Sequence, residues 1–271
     1  GFQSGFAVTT GVNNTFIGGL AGDSVTTGNG NVFVGQGSGG AVTEGTDNTL
    51  IGRNAGSLIT TASDNVVIGN YNGNQGGLDI RTTNGNIVLS DGDGNLRLVI
   101  NNSGNSLFGK ASSAFGTAGT ELQSDGAVTL TRSGGAVLFV NRLTSVGEIC
   151  TFSKDTTQVG SISVTASSTA YNTSSDYRLK ENVVALSNAT ARLKQLAPKQ
   201  FNFIADADTT VDGFLAHEVQ SVVPEAITGT HNEVDSENNP VYQGIDQSKL
   251  VPLLVATIQE LEARITALEG K

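Results

Sequence analysis

Short apolar segments recur every 17 residues along the first 77 positions of the chain. Each consists of an asparagine, three strand-forming residues and a glycine, and they lie at 14–18, 31–35, 48–52 and 65–69. A second glycine keeps the same spacing, at Gly22, Gly39, Gly56 and Gly73. So short a strand cannot bury a face alone, whereas stacked copies can, and the period therefore predicts a β-repeat region over residues 1–77.

The glycines and asparagines of these copies suit close stacking. Glycine permits left-handed backbone or the near approach of a neighbouring chain, and asparagines held in register can form side-chain ladders. The pattern resembles the β-roll heads of trimeric bacterial adhesins and the repeats of phage tail fibres, which implies a fibrous homotrimer. A β-solenoid formed by a single chain is the alternative interpretation.

Residues 78–110 leave the 17-residue step. Strands are expected at Ile87–Leu89 and Leu96–Ile100, on either side of an Asp-Gly-Asp-Gly-Asn loop at residues 91–95. Alternating aspartates can supply oxygen ligands to calcium, but no glutamate completes this loop at the twelfth position. We therefore expect an Asp-Gly hairpin turn and no metal.

Further short strands are expected before residue 174, separated by Gly-Gly and Asp-Thr turns. They lie at 128–130, 136–140, 148–152 and 161–164. Short strands have open edges that need partners, and intertwining of chains supplies them. Residues 78–174 are thus interpreted as a β-rich shaft interwoven among three chains, with no long helix.

From residue 175 the charge density rises and helical periodicity begins. A helix is expected from a cap at Ser187–Thr190 to about Leu196, where Pro198 stops it. The elements expected after it are a strand at 201–204, a turn at 206–210, a strand or buried segment at 213–216 and a polar loop at 228–240. This composition predicts a small α+β domain over residues 175–271.

The last helix, expected over residues 250–270, carries apolar residues at steps of 4, 3, 4 and 3. They are Leu254, Ile258, Leu261, Ile265 and Leu268. This spacing is that of a coiled-coil heptad, and the fibre context favours three strands. A helix packed only on its own domain is the alternative.

Composition excludes several classes of function. The net charge of −10 disfavours nucleic acid as a partner, because phosphates are repelled by an acidic surface. No run of 18 apolar residues exists, so no membrane span is expected. Cys150 is the single cysteine, and two histidines, His217 and His231, cannot alone form a zinc site. No cofactor is expected, and the chain is expected to begin inside a repeat of a longer protein.

A serine and a lysine lie five residues apart at the start of the C-terminal domain. Ser175 can attack a peptide carbonyl only if its proton is removed, and Ser-Lys pairs are a known form of nucleophile and base. A lysine works as a base only where burial disfavours its ammonium form. From spacing alone, a helix cap with a solvated lysine is the alternative, since on a straight helix these residues point to different faces.

The octapeptide Ser-Asp-Tyr-Arg-Leu-Lys-Glu-Asn at 175–182 resembles the start of the intramolecular chaperone domain of phage tailspikes and fibres. This family is known from endosialidases and is classed as peptidase S74. Three later stretches agree with it, at 193–203, 213–219 and 250–254.

The resemblance implies that three chains fold together and then release the chaperone by a cut between Ser174 and Ser175. It makes Ser175 the nucleophile and Lys180 the base. Asp176 and Arg178 match the motif and are expected to be structural, and Glu218 is expected to hydrogen-bond near the junction. His217 receives no catalytic role.

The expected fold is thus a mainly β fibrous homotrimer followed by a small α+β chaperone domain that ends in a trimeric coiled-coil helix. The expected function is a virion tail-fibre or tailspike segment, made in the host cytoplasm, whose partners are its own copies, other tail proteins and a host cell-surface glycan or protein. A non-cleaving fibre with a permanent cap is the alternative. Part of a glycan-degrading tailspike is a third, disfavoured because residues 1–173 show no aromatic platform.

Overall fold

The computed structural model describes residues 1–270 of the 271-residue chain. The chain divides into two compact units. The first spans Gly1–Asn172, and the second runs from Thr173 to the C-terminal end. Each unit has its own buried apolar cluster, and each is described below by itself.

The four copies of the repeat form four short parallel strands. They are β1 (Thr15–Ile17), β2 (Val32–Val34), β3 (Thr49–Ile51) and β4 (Val66–Ile68). Equivalent residues pair in register, so that Phe16 lies opposite Phe33 and Phe33 opposite Leu50. The predicted stacking of copies is confirmed, and it is achieved as a solenoid within one chain.

The middle residue of each strand points into the solenoid. Phe33, Leu50 and Val67 are fully buried there, together with Val42 and Ile59 from the intervening segments. Burying an aliphatic or aromatic side chain of this size contributes about 1.5–3 kcal/mol. One such residue per coil explains why a 17-residue copy is stable only beside its neighbours.

The repeat asparagines form a ladder along the solenoid. The Oδ1 atom of Asn31 accepts the backbone N–H of Asn48 at 3.0 Å and its side-chain amide at 3.2 Å. Asn48 then accepts the same pair of bonds from Asn65, at 3.1 and 3.3 Å. Each asparagine thereby satisfies polar groups that would otherwise be buried without partners.

Glycine is required at two kinds of position in each coil. Gly39 has a φ of +62°, and a Cβ atom there would lie 2.4 Å from the Phe33 ring. Gly35 has a φ of +128°, and a Cβ atom there would lie 2.4 Å from the carbonyl oxygen of Gly52 in the next coil. Left-handed backbone and close stacking therefore both exclude a side chain.

After β4 a longer coil contains a small hairpin, β5 (Asn74–Gln75) and β6 (Leu78–Asp79). The sheet then continues in parallel to β7 (Ile87–Ser90). It is completed by antiparallel strands, which are β8 (Leu96–Ile100), β9 (Ser106–Phe108), β10 (Gly119–Leu122) and β11 (Val128–Thr131). The expected shaft region thus begins as a continuation of the solenoid sheet.

The Asp-Gly loop joins β7 to β8 as the expected hairpin. Asp91 accepts the backbone N–H groups of Asp93 and Asn95, at 3.0 and 2.9 Å. The Asn95 side-chain amide also donates to Asp91, at 3.1 Å. This bond, the backbone bond from Asn95 and a contact with Arg97 hold the pKa of the Asp91 carboxyl well below its usual range. The Asp91 carboxylate therefore accepts hydrogen bonds from residues of its own turn.

A second sheet follows, formed by β12 (Gly147–Lys154), β13 (Thr157–Val164) and β14 (Thr169–Thr173). The strand expected at 136–140 is absent, and that prediction is wrong for the isolated chain. Leu138 and Phe139 are 65% and 79% exposed. The segment has β-type side chains but no paired strand in this chain.

The second unit mixes short helices and hairpins. Its elements are α1 (Ala189–Leu193), β15 (Lys199–Phe203), β16 (Asp206–Gly213), α2 (Ala216–Gln220), β17 (Ile227–Thr228), β18 (Gly244–Ile245) and α3 (Val251–Glu269). Its core gathers Ala189, Val219, Val223, Leu250 and Leu253 from these elements. The small α+β character agrees with expectation.

Three details of this unit differ from the prediction. Helix α1 ends at Leu193 and not at Leu196. Residues 206–210, expected as a turn, belong to β16, and the turn lies at Ile204 and Ala205 instead. Residues 213–216, expected as a strand or buried segment, contain the last residue of β16 and the first residue of α2.

The terminal helix α3 has one face buried in its own unit. Leu253 and Thr257 are 2% and 3% exposed there. Within the described residues, no helix is both long enough and apolar enough to cross a membrane. The heptad residues lie on a different face of this helix, described below.

Candidate functional site

The junction at residue 175 is a tight turn between two extended segments. Asp176 is extended, with φ −63° and ψ 139°, and Tyr177–Leu179 form a single 3-10 turn. Lys180 is extended again, with φ −125° and ψ 140°. The chain therefore makes a single short turn here and does not continue as a straight helix.

Asp176 and Arg178 hold this turn. The Asp176 carboxylate accepts the backbone N–H of Arg178 at 2.8 Å and its guanidinium at 2.9 and 2.8 Å. These bonds from Arg178 lower the pKa of the Asp176 carboxyl. Both side chains satisfy each other, in keeping with the structural role expected for them.

The turn brings the two candidate catalytic groups together. The Nζ atom of Lys180 lies 2.8 Å from the Oγ atom of Ser175. On a straight helix, Ser175 and Lys180 would point to different faces. They are in contact because the segment between them is a 3-10 turn with extended residues at both ends. The two groups are within the distance at which proton transfer between a nucleophile and its base is possible.

Both members of the pair are exposed in the single chain. An exposed lysine donates to the serine hydroxyl as an ammonium, which leaves the hydroxyl proton in place. Base catalysis requires the amine form, which burial favours. A single chain therefore brings Ser175 and Lys180 into contact, whereas removing Lys180 from water requires a further surface to cover it.

The two other residues considered from the sequence lie away from this pair. Glu218, on α2, has a carboxylate oxygen 3.4 Å from Nζ of Lys199. The expected hydrogen bond of Glu218 near the junction is not among those of the described residues. His217 stacks on His231, with ring centroids 4.5 Å apart and planes 7° from parallel. No sequence pattern indicated that stacking, because the two histidines lie in different elements, His217 in α2 and His231 in the loop after β17.

An open groove of about 970 Å³ lies elsewhere in the second unit. It is lined in part by Phe203, Ile204 and Tyr242, and neither Ser175 nor Lys180 contributes to it. The serine and lysine thus do not line this groove.

The segment that starts at this turn has a recognisable sequence. Residues 175–228 match the profile of the Peptidase S74 family, described as the chaperone of endosialidase. The S74-like segment begins at Ser175 and ends in β17, so the terminal helix lies beyond it. No curated protein matches the chain.

The heptad residues of α3 form an exposed apolar stripe. All five are at least 41% exposed, and the values are 43% for Leu254, 64% for Ile258, 41% for Leu261, 54% for Ile265 and 72% for Leu268. The same helix buries Leu253 and Thr257 on its other side. It therefore packs on its own unit and still presents a second apolar face.

Proposed function

We propose that this chain is a segment of a phage tail fibre or tailspike whose C-terminal S74-like domain drives trimerisation and is then released by self-cleavage between Ser174 and Ser175. The observation that carries the proposal is the 2.8 Å contact between Ser175 and Lys180 at the first residues of the S74-like segment. Virion localisation, a host-surface receptor and other tail proteins as partners belong to the same proposal.

The chemistry uses only groups of the chain. The Ser175 hydroxyl attacks the carbonyl carbon of Ser174 while the Lys180 amine takes its proton. The peptide C–N bond then breaks, the α-amine of Ser175 accepts a proton, and the residue 174 carbonyl is left as an ester on Ser175. Water hydrolyses that ester and frees the two products. Asp176 and Arg178 keep the turn in the shape that aligns the pair.

Two apolar surfaces support self-association. The heptad stripe of α3 is exposed in the single chain, and such a repeat is buried when helices form a coiled coil. The outer face of the solenoid sheet is also apolar, with Ile17, Ile51 and Ile68 in one column, 59%, 38% and 45% exposed. Three copies packed together would remove both surfaces from water.

The order of assembly follows from topology. Local helical contacts form quickly, whereas strands shared among chains are slow to register. A trimeric helix holds the chains in register while the slower contacts among the chains form. Cleavage afterwards removes the route back, and the fibre becomes kinetically stable.

The test is denaturing gel electrophoresis and mass spectrometry of the 271-residue chain after folding. We expect two products, with the new N-terminus at Ser175. Ser175→Ala and Lys180→Arg should both stay intact, the latter because arginine keeps the charge and cannot act as a base. Ser174→Ala is the matched control and should still cleave, since it retains the attacked carbonyl.

A non-cleaving fibre with a permanent cap is the second candidate, favoured by the exposure of Ser175 and Lys180. It predicts a single intact band from the wild-type chain at every stage of assembly. A trimer that stays intact would refute self-cleavage and leave the trimerisation role in place.

A further inference from the structure

The first unit contains a buried ion pair. The side chain of Lys110 is 0% exposed and that of Glu121 is 3% exposed, with Lys110 Nζ 3.0 Å from Glu121 Oε2. Lys110 follows β9, and Glu121 lies within β10. Removing two charges from water is costly and is often less stabilising than apolar packing. A surface fibre sheet has no evident structural need for such a pair.

The same carboxylate also contacts an asparagine side chain. The Nδ2 atom of Asn105 donates to Glu121 Oε1 at 3.1 Å. The Oδ1 atom of Asn105 accepts the backbone N–H of Ser124 at 3.0 Å. Because a backbone N–H can only donate, this bond fixes which end of the amide is the carbonyl. Glu121 therefore bridges the amine of Lys110 and the amide nitrogen of Asn105.

These contacts supply each part that an acyl transfer requires. The buried amine of Lys110 is the nucleophile. The Glu121 carboxylate accepts hydrogen bonds both from this amine and from Nδ2 of Asn105, which is the leaving nitrogen. The N–H of Ser124 lies on the oxygen where negative charge develops in a tetrahedral intermediate.

We propose that Lys110 and Asn105 form an intramolecular isopeptide bond, with Glu121 transferring the protons. Glu121 takes a proton from the Lys110 ammonium, and the freed amine attacks Cγ of Asn105. The Cγ–Nδ2 bond then breaks as Glu121 passes two protons in turn to the departing nitrogen, the one taken from the Lys110 ammonium and a second from the attacking nitrogen, and an ammonium ion leaves. One ammonium and one primary amide become one secondary amide and one ammonium ion, so atoms and charge balance without an oxidant or cofactor.

The arrangement favours this reaction within the folded chain alone. The amine and the amide donate to different oxygens of one carboxylate, and the amine also donates to the carbonyl oxygen of Ala114 at 2.9 Å, a bond that it must leave to attack Cγ. Holding reactants on one carboxylate replaces a bimolecular encounter. Hydrogen bonds from Ser113 and Lys110 hold the pKa of the Glu121 carboxyl below its usual range, so the proton acceptor is present at neutral pH.

The bond would join the two ends of β9. Asn105 precedes this strand and Lys110 follows it, so the cross-link would fix the turns at both ends. It lies within the first unit and does not depend on the proposed cleavage at Ser175.

The test is the intact mass of the folded 271-residue chain, measured after denaturation, with a tryptic map. We expect a mass lower than that of the sequence by one ammonia, no cleavage after Lys110, and a single peptide 98–132 in which residues 105 and 110 are joined. If self-cleavage occurs, the product that ends at Ser174 should carry the whole loss.

Lys110→Arg and Glu121→Gln should each restore the mass of the sequence, and Asn105→Asp should lose water where the wild type loses ammonia. Lys154→Arg, at an exposed lysine, is the matched control and should keep the loss. Circular dichroism checks that each variant folds. A wild-type chain with its full mass and normal cleavage after Lys110 overturns the proposal whatever the variants do. A loss that persists in Lys110→Arg also overturns it, because Asn105 would then have cyclised on its own backbone.

Discussion

Glu260, on the last helix, caps the first turn of α1 at Thr190, 70 residues earlier in the chain. Its Oε2 atom accepts the backbone N–H of Thr190 at 2.9 Å, and its Oε1 atom accepts that of Ala189 at 2.8 Å. The local cap residue, Asn188, has left-handed backbone and makes no side-chain capping bond. A five-residue helix is unstable by itself, so this long-range cap ties the formation of α1 to that of α3.

The capping bond predicts a pH-dependent stability of the second unit. Bonds from Thr190 and Ala189 lower the pKa of the Glu260 carboxyl from its ordinary value of 4.5. A lowered folded-state pKa gives a stabilisation that is present above 4.5 and is lost as the pH falls through the lowered value. Glu260→Gln should therefore lower the Tm by a few degrees at neutral pH and by less in acid.

Thermal unfolding followed by far-UV circular dichroism, with pH as the variable, measures this difference. Glu262→Gln, at an exposed position of the same helix, is the control and should match the wild type. A gap between Glu260→Gln and the wild type that stays constant from neutral to acid pH would contradict the capping account.

The solenoid glycines predict a position-specific effect of adding one methyl group. Gly39→Ala places a Cβ atom 2.4 Å from the Phe33 ring on left-handed backbone, so we expect a loss of more than about 1 kcal/mol. Gly116→Ala has nothing within 4 Å of the added atom and should be nearly neutral. Urea unfolding compares the two, and equal midpoints would refute the stated packing.

The asparagine ladder predicts that its central members cannot be replaced by small apolar residues. Asn48→Ala removes the acceptor for two bonds from Asn65 and leaves the carbonyl of Ala62 without its side-chain donor. A buried polar group without a partner costs about 1–3 kcal/mol, so the free energy of unfolding should fall by that amount. Asn102→Ala, at an exposed turn, is the control. A loss no larger than that of the control would show that the ladder adds nothing to stability.

The stacking of the repeat copies was the most predictable part of the molecule, because it is encoded by the 17-residue period that places Phe33 beside Leu50. The single-chain solenoid that achieves it was only the alternative interpretation. The strand expected at 136–140 is absent, because apolar β-type residues indicate a strand without specifying the partner that it needs. The turn at Ile204 and Ala205 carries no glycine or proline, so nothing local marked it.

The candidate site was predictable only in part. The motif identified Ser175 and Lys180, yet their contact depends on the 3-10 turn held by Asp176 and Arg178. The cluster of Asn105, Lys110 and Glu121 gave no sequence signal, since its members are ordinary surface residue types that strand pairing brings together. Sequence patterns encode what repeats, and the contacts of Glu121 with Lys110 and Asn105 do not repeat and join residues 11 and 16 positions apart.

The exposure of Ser175 and Lys180 predicts that cleavage depends on association. If three chains must meet before the lysine is desolvated, a variant that cannot trimerise should not cleave. Ile258→Ser with Ile265→Ser removes two heptad residues that are 64% and 54% exposed, so the fold of one chain should survive while the coiled coil fails. We expect a monomer by analytical ultracentrifugation. We also expect the Ser175 N-terminus to appear at least ten times more slowly, since each 1.4 kcal/mol lost from the free energy of association lowers the association constant tenfold.

Arg264→Ser, on the same helix and outside the heptad positions, is the matched control and should remain a trimer that cleaves. Circular dichroism confirms that both variants keep the second unit folded. Monomers of the double variant that cleave at the wild-type rate would break the link between assembly and chemistry. In that case the turn at 175–180 alone would have to desolvate the lysine, which its exposed position in the single chain argues against.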